Sequence, residues 1–371
     1  MRSGYLHLMV VTAALICFCF LLQGAEACTG IRLKGADGTV VFGRTMEWGA
    51  FDLKSELMIV PNGLALSSST PDGTHGAMWE VKYGFVGLNA LNKPYILDGM
   101  NEKGLACGAF WLPGFTVYSE YDPKEADRSI SPFDIVNYIL SKFKSVEEVR
   151  EGLKHVKVVA VTEPTLGFAP PFHFMVTDAS GTSIVIEYVN KGDLKIYNNV
   201  LGVITNAPTF DWHLINLRNY VNLSPVALQA RKIEDLNLAP LGAGSGLLGI
   251  PGDFTPPSRF VRAMAFSQTA RYTQGGLDTV NEVFRILDNF NIGVGSAEGS
   301  DLQKGDPLLA STQWTIAADT KKCIYYYHTM YNRRIRKVGL NGVDFTNGVI
   351  RYFPLDKERR QDIQDMTPSK K

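Results

Sequence analysis

Residues 25–30 read Ala25-Glu26-Ala27-Cys28-Thr29-Gly30, and a cut after Ala27 makes Cys28 the first residue of the mature chain. Such a cysteine carries a free α-amine beside its thiol. The reference pKa of the thiol is about 8.5 and that of the amine about 7.7–8.0, so the amine can take the thiol proton near neutral pH. One residue then supplies a nucleophile and a base in fixed geometry.

The upstream residues have the form of an export signal. Arg2 gives a positive start, Leu8 to Leu22 form an uncharged apolar run, Gln23-Gly24 break it, and Ala25-x-Ala27 offer small residues to a signal peptidase. That run is shorter than the roughly 18–20 residues needed to span a bilayer. Residues 1–27 are therefore expected to be a secretory signal peptide, giving a periplasmic or secreted protein. A lipoprotein signal also puts cysteine first, but it favours Leu three residues earlier with small residues between. Ala25 and Glu26 fit that pattern poorly. A lipidated Cys28 would leave a non-catalytic lipoprotein or ligand-binding protein, which is the alternative of a different class.

Without the leader, 344 residues remain with 36 basic and 36 acidic side chains, so charge gives no reason to expect a nucleic-acid or anionic-membrane partner. The apolar content of 45% is ample for a buried core. Cys28, Cys107 and Cys323 are the cysteines left, an odd number that excludes a disulfide framework. Cys107 and Cys323 lie in strand-like runs and read as inert buried thiols. The six histidines are scattered without metal-ligand spacing, and no metal or cofactor is expected.

From Cys28 onward the pattern is strand, turn, strand: Cys28–Leu33, an Asp37-Gly38 turn, then Thr39–Arg44. Strands are expected at Glu56–Val60, Trp79–Leu88, Phe172–Asp178, Thr182–Tyr188 and Asp193–Tyr197, with two or three more over Thr312–Leu340. Helices are expected from Pro132, capped by Ser131, and from a Ser145-Val146-Glu147-Glu148 capping box to about His155. Others read at Trp212–Tyr220, Arg259–Thr269 and Asp278–Asn289. Leu238–Pro257 reads as a long ordered loop. The pattern is α+β in one domain over residues 28–355, with a charged, solvated tail over 356–371.

Five blocks then stand out in order: Cys28-Thr29-Gly30; Phe42-Gly43-Arg44-Thr45-Met46-Glu47-Trp48; Asp98-Gly99-Met100-Asn101-Glu102-Lys103-Gly104-Leu105; Thr205-Asn206-Ala207-Pro208-Thr209-Phe210-Asp211-Trp212-His213; and Pro251 to Phe260. Together they resemble the choloylglycine hydrolase family of N-terminal-nucleophile hydrolases, which includes bile salt hydrolases and penicillin V acylases. The resemblance implies an αββα sandwich and, usually, a homotetramer. It implies cleavage of a linear, non-peptide amide through an acyl-enzyme, on a conjugated bile salt, penicillin V or an N-acyl homoserine lactone. Carried onto this chain, Cys28 is the nucleophile, Arg44 and Arg259 stabilise its thiolate, and Asn206 with the Trp111 backbone N–H forms the oxyanion hole. Glu47 stands where the family usually has Asp, one methylene further from the ammonium it should orient. Met46, Trp48 and Trp111 would line the acyl pocket, and the two tryptophans resemble the Gram-negative branch.

Overall fold

The hairpin read from residue 28 forms. Strand β1 (Cys28–Lys34) pairs antiparallel with β2 (Val40–Glu47), placing Cys28 opposite Met46 and Lys34 opposite Val40. The Asp37-Gly38 turn is closed by Gly35 N–H donating to Thr39 O at 2.8 Å, while Asp37 Oδ1 accepts from Thr39 N–H. This computed structural model describes residues 27–297 and 312–368, so residues 1–26 of the expected signal peptide lie outside the described residues.

The remaining strands of the two large sheets are β3 (Glu56–Val60), β4 (Phe85–Ala90), β5 (Tyr95–Asn101), β6 (Ala106–Trp111), β7 (Phe172–Thr177), β8 (Ser183–Val189), β9 (Asp193–Asn198), β10 (Val203–Ile204), β11 (Thr312–Asp319), β12 (Ile324–Thr329), β13 (Arg336–Gly339) and β14 (Arg351–Pro354). One sheet runs β10-β1-β2-β11-β12-β13 and the other β9-β8-β7-β6-β5-β4-β3-β14. Every pairing within them is antiparallel. The helices are α1 (Ile135–Lys142), α2 (Val146–Gly152), α3 (Phe210–Asn216), α4 (Pro256–Thr269) and α5 (Leu277–Leu287). Helices α4 and α5 cover β1 and β2 from outside, and α1 covers β5 and β6, which makes an αββα sandwich.

Strand alternation sends Phe42, Arg44 and Met46 of β2 inward and Gly43, Thr45 and Glu47 toward the helices. The sheets approach closely: a Cβ on Gly30 would lie 2.7 Å from the Phe110 ring on β6. On the opposite face a Cβ on Gly43 would come within 2.3 Å of Val283 on α5, so that helix packs on bare backbone.

Some elements differ from the sequence pattern. The single strand expected over Trp79–Leu88 is broken, because Lys82 and Tyr83 N–H both donate to Ser141 O at the end of α1. Trp79 belongs instead to a small hairpin of Ala65–Ser69 with His75–Glu80. Pro132–Asp134 is a 3₁₀ turn before α1, with Ser131 Oγ accepting from Phe133 N–H. At α2, Ser145 Oγ accepts from Glu148 N–H, but Glu148 reaches back to Lys144 N–H and not to Ser145. Cys107 and Cys323 are free and buried. The tail up to residue 368 is mostly exposed and has no regular structure after β14, yet Asp356 accepts from Thr329 Oγ1 and pairs with Arg336.

The close approach of α5 gives a stability test. Gly43→Ala is expected to cost about 2–3 kcal/mol of unfolding free energy by overpacking, read from urea midpoints. Gly342→Ala, where an added methyl meets nothing within 4 Å, should leave the midpoint almost unchanged. Equal effects at the two positions would refute the packing account.

Candidate active site

Cys28 opens β1 at the mouth of the sandwich and is buried. Its Sγ accepts a hydrogen bond from Arg44 Nη2 at 2.9 Å and lies 3.9 Å from Met46 Sδ. Its backbone N–H donates to Asn206 Oδ1 at 2.9 Å. Burial raises the thiol's pKa above its ordinary value; the charge of Arg44, the Glu47 backbone N–H and the charge of Arg259 oppose this, and the Glu47 carboxylate reinforces it.

Arg44 is wholly buried. Its Nη1 donates to Leu97 O at 3.3 Å and Ala109 O at 2.6 Å, and its guanidinium lies 4.4 Å from the centre of the Phe110 ring. Pairing between β5 and β6 ends at Asp98–Gly108, and Leu97 and Ala109 are the next residues in that register. Arg44 therefore crosses from one sheet to the other and satisfies the two carbonyls where the strands part.

Arg259, on α4, does not touch the sulfur. Nη1 donates to Cys28 O at 2.6 Å and Thr29 Oγ1 at 3.0 Å, and Nη2 donates to Asn206 Oδ1 at 2.7 Å. Its effect on the thiol is the field of its charge, while its hydrogen bonds hold the main chain. Burial lowers its own pKa to about 10.

Asn206 accepts from both Cys28 N–H and Arg259 through Oδ1, which fixes the orientation of the carboxamide. Its Nδ2 donates to Trp111 O at 2.8 Å. An amide nitrogen carries two N–H groups, so a second donor remains. Leu112 N–H bonds Pro171 O, so by the alternation of an antiparallel ladder the Trp111 N–H points away from β7.

Glu47 is buried with one oxygen satisfied: Oε1 accepts from Thr312 Oγ1 at 3.0 Å, whereas Oε2 has no partner among the described residues. Thr312 in turn accepts from Ile292 N–H at 2.9 Å. Burial raises the Glu47 carboxyl to about 7 against the charge of Arg259. The added methylene of Glu thus takes its carboxylate to a hydroxyl on β11.

Trp48 and Trp111 meet edge to face, with ring centroids 5.3 Å apart. With Met46, Leu53, Leu97 and Phe172 they line an almost wholly apolar pocket that ends at Cys28. All the residues read as site residues in the sequence thus converge: Cys28, Arg44, Met46, Glu47, Trp48, Trp111, Asn206 and Arg259.

Sequence reasoning missed the supports behind them. His173 Nε2 faces Thr205 O at 3.1 Å and His213 Nε2 faces Asn206 O at 3.0 Å, where each of these nitrogens can only donate to its carbonyl. Glu187 faces His173 Nδ1 at 3.2 Å and also accepts from Phe210 N–H. Burial lowers His213 to about 4, which keeps the ring neutral. These residues clamp the backbone that carries the Asn206 amide. The only sequence signal was that His213 follows Asn206 by seven residues in a single block.

Most of the chain is similar to known proteins. The model of the family described as linear amide C–N hydrolases, choloylglycine hydrolase family, matches residues 28–353. The chain is 34% identical over 338 residues to a bile salt hydrolase/transferase of Clostridium perfringens, covering 89% of this chain and 97% of that protein. It is 26% identical to a penicillin V acylase of Pectobacterium atrosepticum, covering 81% of this chain and 77% of that one. A crystallised mutant of conjugated bile acid hydrolase from Clostridium perfringens superposes with a TM-score of 0.79 at 30% identity, over 92% of this chain and 100% of that chain.

The two raised carboxyls predict a pH dependence. Glu47 and Asp98 are each held at about 7 by burial, against about 4 when unfolded. Between those values the folded chain binds protons that the unfolded chain has released, so stability is greatest below pH about 4 for these groups and falls as pH rises toward 7. The slope is up to about 1.4 kcal/mol per pH unit for each carboxyl. Urea unfolding of Glu47→Gln and Asp98→Asn between pH 4.5 and 7.5 should show a flatter dependence than the parent chain; an equally steep one refutes the assignment.

Proposed function

The chain belongs to the choloylglycine hydrolase family of linear amide C–N hydrolases, and from that premise we propose an exported amidase with Cys28 as its N-terminal nucleophile. The observation that carries this reading is the convergence on one residue: Arg44 on the sulfur, Asn206 on the nitrogen and Arg259 on the carbonyl. With Ala27 attached, the Cys28 nitrogen is a peptide N–H with one donor and no basic lone pair. Cleavage after Ala27 turns it into an amine with a basic lone pair, next to a thiol that already lies in the field of the Glu47 carboxylate, whose Oε2 is unpartnered among the described residues.

In the proposed reaction the amine takes the thiol proton and the thiolate attacks the amide carbonyl. The oxyanion accepts from the remaining Asn206 Nδ2–H and the Trp111 backbone N–H. The α-ammonium then protonates the leaving amine, the C–N bond breaks, and an acyl thioester remains. The same amine takes a proton from water, which attacks the thioester and releases the acid.

The apolar pocket supports an acyl group without charge. Its walls of Trp48, Trp111, Phe133 and Phe172 with Leu91 and Leu166 suit a slim aryl-acetyl or straight fatty chain better than a rigid sterol. Penicillin V and long-chain N-acyl homoserine lactones are the proposed substrate classes, ahead of conjugated bile salts. The arm after α3 exposes Val221, Val226, Leu228, Ile233, Leu236 and Leu241, which supports assembly of copies into the expected homotetramer. No helix among the described residues is long and apolar enough to cross a membrane.

Four measurements test the proposal. Intact mass should show a chain starting at Cys28 with no adduct; a diacylglycerol on Cys28 would instead support the lipoprotein alternative and sink the enzyme reading. A release assay with penicillin V, acyl homoserine lactones, glycocholate and taurocholate should favour the first two by about tenfold or more in kcat/KM, the scale of a discrimination between hydrophobic acyl groups. Cys28→Ala should abolish turnover, and Asn206→Ala should lower kcat by about 10²–10³. Unchanged turnover in Cys28→Ala would falsify the mechanism. Light scattering on a sizing column should give four times the monomer mass.

A further inference from the structure

Asp98 opens a conspicuous sequence block, yet it takes no part in the reaction described above. It is fully buried on β5, between the sheets. Oδ1 accepts from the Tyr325 hydroxyl of β12, in the opposite sheet, at 2.8 Å. Oδ2 is buried without a partner among the described residues. A Cβ on Gly108 would lie 2.7 Å from Oδ2, so only a glycine on β6 leaves room for this carboxyl. A carboxyl kept in such a place, half satisfied and costly to ionise, calls for a reason.

Arg44 supplies one. The guanidinium holds Leu97 O and Ala109 O, the pair next in register to Asp98 and Gly108, while its Nη2 holds the Cys28 sulfur. Its hydrogen bonds go to three carbonyls and two sulfurs, and none goes to a carboxylate. The charge of Arg44 therefore acts on two buried groups through space, the thiol on one side and Asp98 on the other. In a low-dielectric interior these fields are strong. A protonated Asp98 leaves the guanidinium's field to the sulfur; an ionised Asp98 offsets part of it.

We propose that Asp98 is a positioning residue for the nucleophile, setting through Arg44 how readily Cys28 becomes a thiolate, with Tyr325 tuning when Asp98 ionises. This rests on the reading of Cys28 as nucleophile. The charged or titratable groups facing Asp98 are Arg44 from β2, Tyr325 from β12 and Cys107 from β6, while β4 opposes it with Leu88. Those facing the Cys28 sulfur are Arg44, Glu47 and Arg259. Burial brings Asp98 to about 7, against the charge of Arg44 and the Tyr325 hydroxyl.

The test uses the processed protein, and its first readout needs no turnover. The rate of Cys28 alkylation by iodoacetamide is followed by peptide mass from pH 5 to 9, alongside the pH profile of kcat/KM. The parent should show an inflexion near pH 7 on the alkylation curve. Asp98→Asn keeps an acceptor for Tyr325 but loses the charge; it should flatten that inflexion, leaving the part contributed by Glu47, and raise alkylation above pH 7 by about three- to tenfold, a thiol pKa change of one or less. Tyr325→Phe removes the donor, makes ionisation harder and should move the inflexion to higher pH, which keeps the test alive if Asp98→Asn does not fold. If both variants lower the urea midpoint but leave the alkylation curve on that of the parent, Asp98 is structural only and the proposal falls. Full activity in Cys28→Ala would overturn the nucleophile reading instead, and the alkylation curves would distinguish the two failures.

Discussion

A single buried guanidinium joins the two halves of this sandwich. Arg44 leaves one sheet, stacks on Phe110 of the other, and fills the gap where β5 and β6 stop pairing. Burying a cation costs several kcal/mol unless its donors are satisfied and its charge is answered. Here carbonyls satisfy the donors, and the charge is answered by a thiol and by carboxyls that burial tends to neutralise. The arrangement is poor as a stability device, because an apolar plug of the same volume would cost less. It makes sense as a chemical one, since the unanswered part of the charge falls on Cys28.

The fold was legible where local pattern and tertiary context agree. Strands β7, β8 and β9 follow apolar runs split by turn residues, and their expected bounds lie within two residues of the observed ones. The strand expected over Trp79–Leu88 shows the opposite case. Nothing in that run announces that Ser141, far along the chain, will take two of its N–H groups. The helix starts after Ser131 and Ser145 were similarly placed by caps, while the 3₁₀ geometry of the turn that opens the first of them depends on packing that no cap specifies.

The same division holds at the site. Cys28, Arg44, Asn206 and Arg259 were found because their flanking residues form recognisable blocks. What they touch was not legible: Arg259 was expected to stabilise the thiolate, and it acts on the thiol by its charge alone while its hydrogen bond holds the Cys28 carbonyl. Thr312 comes from 265 residues beyond Glu47, and a lone threonine in a strand gives no sign of its partner. His173 and Glu187 lie across from each other on neighbouring strands, which a linear reading cannot see without the register.

Glu47 shows how a departure from a family pattern is absorbed. A longer side chain from the same backbone position carries its carboxylate past the point a shorter one reaches, and the Thr312 hydroxyl is there to receive it. That contact fixes one oxygen and leaves the other free to meet a cation. In the chain with Ala27 in place the cations acting on Glu47 are the two arginines, whose hydrogen bonds go to carbonyls, sulfur, Thr29 and Asn206 and none to Glu47. On the proposed reading, removal of the leader creates the missing donor, the base and the nucleophile's neighbour in one cut. Until then burial holds the Cys28 thiol protonated and its nitrogen cannot accept a proton. A site assembled in this way would be inert before cleavage without any inhibitor, because the group that completes its hydrogen bonding is also the group that starts its chemistry.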